Sequence, residues 1–153
     1  MATAPAPHVA ICLASDADWE VLLFTGETLD QFSVPWIQVK TGGTDLQLPE
    51  TVTVVIAASG RRNLAAELAG HTPLPILAVP IDDTTGAPLE TLTAAAAMPA
   101  GTAVGLLALG KAGAINAALG AVGILSLADA ALRERWREYR RGLTEGVLAS
   151  RLE

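Results

Sequence analysis

One cysteine in 153 residues, Cys12, leaves no intrachain partner for a disulfide, and its place inside an apolar run marks it as a buried, reduced thiol. Basic charge is scarce too. Lys and Arg number 10 against 16 Asp and Glu, a net charge of −6, whereas a nucleic-acid surface needs a clustered basic face. The one run of arginines, Arg133 to Arg141, is interleaved with Glu134 and Glu138 and reads as a solvated helix face. The opening MATAPAP lacks the basic start and apolar core of a secretory signal, so the expectation is a cytoplasmic protein. A leucine-rich run is missing as well. The longest apolar stretch, Met98 to Leu127, is alanine and glycine interrupted by Pro99, Lys111 and Asn116, which argues against a membrane span. Neither a metal motif nor a nucleotide-cofactor motif is present, and no cofactor is expected. With no internal repeat or linker, the length suits one domain around a single core.

What the chain does have is apolar surface. Apolar residues make up 51% of it and charged residues only 17%, more than a small monomer needs, which argues for contacts between copies of the chain. Met98 to Leu127 concentrates that excess. It reads as a buried strand over Ala103 to Leu109, a glycine-bounded turn carrying Lys111, and a small-residue helix. A helix that is apolar all round must be buried, and the expected burial partner is another subunit.

Taken in order, residues 1–7 form a loose lead-in, 8–127 an α/β domain, and 128–153 a terminal helix for oligomerisation. His8 to Ala14 contains a continuous apolar run of buried-strand length, and a helical pattern follows with Leu22, Leu29 and Phe32 inward. Between them, Ser15 and Asp18 have capping-box spacing, although a strand-to-helix turn also offers backbone donors to an anionic ligand. Val34-Pro35 restarts an extended segment, with Trp36 to Lys40 and Val52 to Ala58 as strands. The connection over 41–51 is at the lower limit for a parallel crossover and, with Pro49 and its glycines, is expected to lack a regular helix. A helix is expected from Ser59 to Gly70, a strand from Pro75 to Ile81, and a helix from Leu89 to Ala97. Alternation of this kind predicts a parallel sheet covered on both faces. Leu132, Trp136, Tyr139, Leu143 and Val147 mark one amphipathic terminal helix, whose aromatics read as packing.

These residues carry a resemblance. Ser15-x-x-Asp18-Trp19, Val34-Pro35, Thr72-Pro73-Leu74-Pro75 with Val79-Pro80, Met98-Pro99-Ala100-Gly101, Gly105, Gly110-Lys111-Ala112-Gly113-Ala114 and Asn116-Ala117-Ala118-Leu119 resemble the carboxyaminoimidazole ribonucleotide mutase and aminoimidazole ribonucleotide carboxylase family of purine biosynthesis. The resemblance covers nearly the whole chain. It implies a flavodoxin-like three-layer sandwich with a five-stranded parallel sheet. It also implies a homo-octamer, with the small-residue helix at its central contacts and the terminal helix packing on a neighbouring subunit.

The family's chemistry is not matched. Its Ser-Ala-His-Arg motif falls on Gly42-Gly43-Thr44-Asp45, and its second histidine loop falls on Ser59-Gly60-Arg61-Arg62-Asn63-Leu64. Threonine does not titrate near neutral pH and cannot replace the histidine as an acid or base. The positions that hold the substrate phosphate in the family are Ala17, Gly42 and Asp45 here, so attraction for a dianion becomes repulsion. Two readings follow. In the first, a diverged carboxylase, decarboxylase or isomerase of specialised metabolism acts on an unphosphorylated small-molecule carboxylate. Asp18 is then the acid or base and Ser15 an orienting hydroxyl. Arg61 or Arg62 anchors the carboxylate, and Thr44, Ser59, Gly60, Asn63 and Lys111 complete the binding set. In the second, the chain is a non-catalytic homologue that serves as an oligomeric binding or scaffolding module. For Lys111 the structural role is favoured, and neither nucleic acid nor membrane is an expected partner.

Overall fold

A computed structural model describes residues 5–42, 45–60, 63–81 and 88–150. Five strands form one sheet in the order β2-β1-β3-β4-β5, every pair parallel. They are β1 (Val9–Leu13), β2 (Trp36–Lys40), β3 (Val54–Ser59), β4 (Ile76–Pro80) and β5 (Val104–Leu106). The helices are α1 (Trp19–Gln31), α2 (Leu64–Ala69), α3 (Pro88–Ala96), α4 (Gly110–Leu125) and α5 (Ala130–Ser150). This is the flavodoxin-like α/β fold, and its strand order reverses between β1 and β3. Strands β1 and β3 are buried along their whole length, as their unbroken apolar sequences VAICL and VVIAAS require of strands covered on both sides.

The two faces are covered differently. On one, Val9, Ile11, Leu13, Val54, Ile56 and Val79 meet α1 and α4. On the other, Ala10, Cys12, Val55, Ala57, Ile76 and Ala78 meet Leu64, Ala65 and Leu68 of α2, with Leu46 and Leu48 packed alongside. Those two leucines belong to the connection from β2 to β3, which has no helix among its described residues. Leu46 and Leu48 of this connection lie on the sheet face beside α2.

One face of helix α4 packs within its own chain: Gly113, Ala114, Ala117, Ala118, Ala121 and Val122 are buried against α1 and the sheet, while Ala112 and Asn116 are exposed. Small side chains let the two helices close on one another, and the Thr25 hydroxyl of α1 donates to the Ala114 carbonyl at 3.0 Å. A Cβ at Gly113 would overlap the Ala108 carbonyl oxygen, so glycine is obligatory there.

The first part of α5 also packs on its own chain. Leu132 is buried, and the rings of Trp136 and Tyr139 lie 6.0 and 5.2 Å from Phe32, edge-on. Further along, Leu143, Val147 and Leu148 are each more than half exposed. Helix α2 begins at Leu64 and not at Ser59, because Ser59 completes β3 and the Asn63 side chain caps the helix by accepting from the Ala66 amide. Among the described residues, no helix is long and apolar enough to cross a membrane.

Candidate functional site

In a sheet of this strand order, ligands sit outside the carboxyl ends of the strands where the order reverses. Here that edge is formed by the turn after β1, the end of β2 with the segment after it, and the turn after β3. After β1 the chain makes a short 3-10 turn, Asp16–Asp18, before α1 begins. One oxygen of Asp18, Oδ2, accepts from the Ala14 amide at 2.8 Å and the Ser15 amide at 2.9 Å. This is the carboxylate half of the capping box that the Ser15 and Asp18 spacing predicts. Oδ1 has no hydrogen-bond partner among the described residues. Ser15 is exposed at the rim.

At the end of β2, Lys40 reaches across and pairs with Asp16 at 2.8 Å, both side chains largely in solvent. The neighbouring Thr41 is buried; its amide donates to the Leu13 carbonyl and its hydroxyl to Asp45 at 2.9 Å. After β3, the buried Ser59 hydroxyl donates to Asn63 Oδ1 at 3.0 Å, the same oxygen that caps α2. A Cβ on Gly60 would sit 3.6 Å from the Ile81 carbonyl, an ordinary contact, so no close approach demands glycine there.

The structure therefore brings Ser15, Asp18, Ser59, Gly60 and Asn63 to one edge, on the paired strands β1 and β3. Ser59 and Asn63 are already bonded to each other, which makes them builders of the turn. Lys111 opens α4, after β5, and its Nζ lies 4.0 Å above the Phe24 ring of α1. Thr44, Arg61 and Arg62 lie outside the described residues. The ion pair of Lys40 with Asp16 and the bond of Thr41 with Asp45 went unread in the sequence, although the terminal position of Lys40 on a strand beside β1 was a usable signal.

The edge has no imidazole. The chain's two histidines are His8, just before β1 and bonded through Nδ1 to the Thr51 carbonyl, and His71, between α2 and β4 and bonded to the Glu67 carbonyl. Both lie at the amino edge, about 17 Å away along a five-residue strand. Nor does Cys12 offer a nucleophile, since burial pushes its thiol up to about 12. Among the described residues, no group of three His, Cys, Asp or Glu could hold a metal ion.

Comparison with known proteins places this geometry. The family model described as AIR carboxylase matches residues 44–146. The N5-carboxyaminoimidazole ribonucleotide mutase of Brucella melitensis is 37% identical over 150 residues, covering 91% of this chain and 93% of the relative. The mutase of the same name from Escherichia coli is 32% identical over 152 residues, covering 92% and 90%. A crystal structure of a Treponema denticola PurE2 variant superposes with a TM-score of 0.77, at 18% identity over 95% of this chain and 96% of that one, which shows the shared fold. On the family match and these identities, the chain belongs to the AIR carboxylase family.

Proposed function

We propose that this chain is a member of the family with no histidine at the carboxyl edge of its sheet. It binds an unphosphorylated small-molecule carboxylate at the carboxyl edge of its sheet, does not perform the purine-pathway carboxylate transfer, and serves as an oligomeric binding module. The observation that carries this reading is the position of both imidazoles at the amino edge. A proton must be passed at the reacting ring, and general acid–base catalysis needs a group within hydrogen-bond reach of it. Charge supports the reading. Asp16, Asp18 and Asp45 bring three carboxylates to the described rim, Lys40 neutralises one, and a phosphate dianion is repelled by the remainder. Recognition of the ligand's carboxylate then falls to Arg61 and Arg62, whose guanidinium forks suit it. We extend the reading to a homo-octamer, for which the exposed Leu143, Val147 and Leu148 supply apolar surface.

A second reading has one observation in its favour. Asp18 Oδ1 has no partner among the described residues, which leaves it open to act as the acid or base of a diverged lyase or isomerase of specialised metabolism. The test is an assay with N5-carboxyaminoimidazole ribonucleotide, followed by a titration with imidazole-4-carboxylate as probe. The first reading expects no turnover above the uncatalysed rate, and probe binding that Arg61→Gln or Arg62→Gln weakens. Turnover of the ribonucleotide would overturn both readings, whereas decarboxylation of the imidazole-4-carboxylate probe that Asp18→Asn abolishes would establish the second.

A further inference from the structure

A groove of about 730 Å³ opens at the amino edge of the sheet, on the side away from the candidate site. Its lining includes His8, Pro35, Leu125, Asp129, Leu132 and Arg135, drawn from the start of β1, the lead-in to β2, the end of α4 and the start of α5. The volume lies in the range of small-molecule sites, and the lining has their usual make-up of apolar walls with a few polar groups.

The polar groups are only partly engaged. Asp129 Oδ1 accepts from the Ala131 and Leu132 amides, capping α5, while Oδ2 has no hydrogen-bond partner among the described residues. His8 is held through Nδ1 to Thr51, which leaves Nε2 open. Arg135 makes no hydrogen bond or ion pair among the described residues, yet it lies near enough, with His8, to help hold the Asp129 carboxyl below its ordinary range. The Leu132 amide is the larger cause of that depression.

We propose that this groove binds an apolar α-amino acid. The ammonium group meets Asp129, the carboxylate meets Arg135, and the side chain lies on Pro35, Leu125 and Leu132. Charge selects the class. One carboxylate and one guanidinium leave the lining with no net charge when His8 is neutral, so a simple anion or cation gains little. A zwitterion satisfies both signs at once.

The site is separate from the carboxyl edge and does not depend on the function proposed for it. The test is calorimetry with L-leucine, L-phenylalanine and L-methionine, with leucinamide and 4-methylpentanoate as single-charge comparators, and hydrogen exchange as the second readout. At least one amino acid is expected to bind once per chain and to protect residues 33–35 and 125–132. Leucinamide and 4-methylpentanoate should bind at least about tenfold more weakly than leucine, and Asp129→Asn and Arg135→Gln should each cause a similar loss. Asparagine caps a helix as well as aspartate, so the Asp129 variant should stay folded. Absence of binding by all three amino acids, comparators that bind as well as leucine, or unchanged affinity in both variants would overturn the proposal.

Discussion

The seam between α1 and α4 and the rim formed by the carboxyl-edge turns are built on different principles. At the seam the Thr25 hydroxyl of α1 bonds directly to the Ala114 carbonyl, and beside it Gly113 has no room for a Cβ against the Ala108 carbonyl of the turn that leads into α4. At the rim, side chains fold back on their own turns, with Asp18 on two amides, Ser59 on Asn63 and Thr41 on Asp45. A seam of the first kind tolerates almost no change. A rim of the second kind keeps its shape while the exposed groups between the anchors are exchanged. That contrast fits the proposal that the chain keeps the family's fold while the groups at its rim differ.

The contrast can be broken or sharpened by substitution. The largest effect is expected from Gly113→Ala, which forces a methyl group into the Ala108 carbonyl and should cost about 3 kcal/mol or more, read by urea denaturation. Ile56→Ala, in the strand between the two helices and the opposite face, should cost about 2–5 kcal/mol by the same measurement. At the rim, Asp18→Asn keeps one acceptor for the two amides and should cost only about 1 kcal/mol. A loss there as large as at Gly113 would erase the distinction.

Two smaller effects depend on pH and accessibility. Cys12, on the face opposite the seam, has a folded-state value raised from 9.0 to about 12. The neutral thiol is therefore the form that stabilises the fold: its contribution is complete below the unfolded-state value and is lost as pH rises through the folded-state value. At mildly alkaline pH a thiol reagent should label Cys12 only after denaturation. Asp129 has the opposite sign. Its folded carboxyl lies below the ordinary 3.8, chiefly through the Leu132 amide, so its contribution is present above that value and lost as pH falls through the folded one. Asp129→Asn should flatten the acid limb of the stability profile slightly.

Much of this architecture was legible in the chain. The apolar run before Ser15, the inward Leu22 and Leu29, the alternation at Trp36 to Lys40 and a crossover with no helix among its described residues all appear where periodicity and turn chemistry put them. Which side of α4 meets α1 was not legible, because a helix of alanine and glycine carries no periodicity to say which side faces what; the Thr25 bond to Ala114 marks that side. Nor was the start of α2, where the strand runs on to Ser59 and Asn63 takes the cap. At the site, the Ser15 and Asp18 pair was readable as a capping box. The pairing of Ser59 with Asn63 depends on a turn whose geometry no spacing rule specifies.

The claim on which the rest depends is that the rim no longer holds the family's phosphorylated ligand. Calorimetric titration of the intact protein with aminoimidazole ribonucleotide tests it directly. No saturable heat is expected, because Asp16, Asp18 and Asp45 make the described rim acidic and the resemblance puts the family's phosphate positions at Ala17, Gly42 and Asp45. Binding at micromolar concentration, at one site per chain, would contradict it.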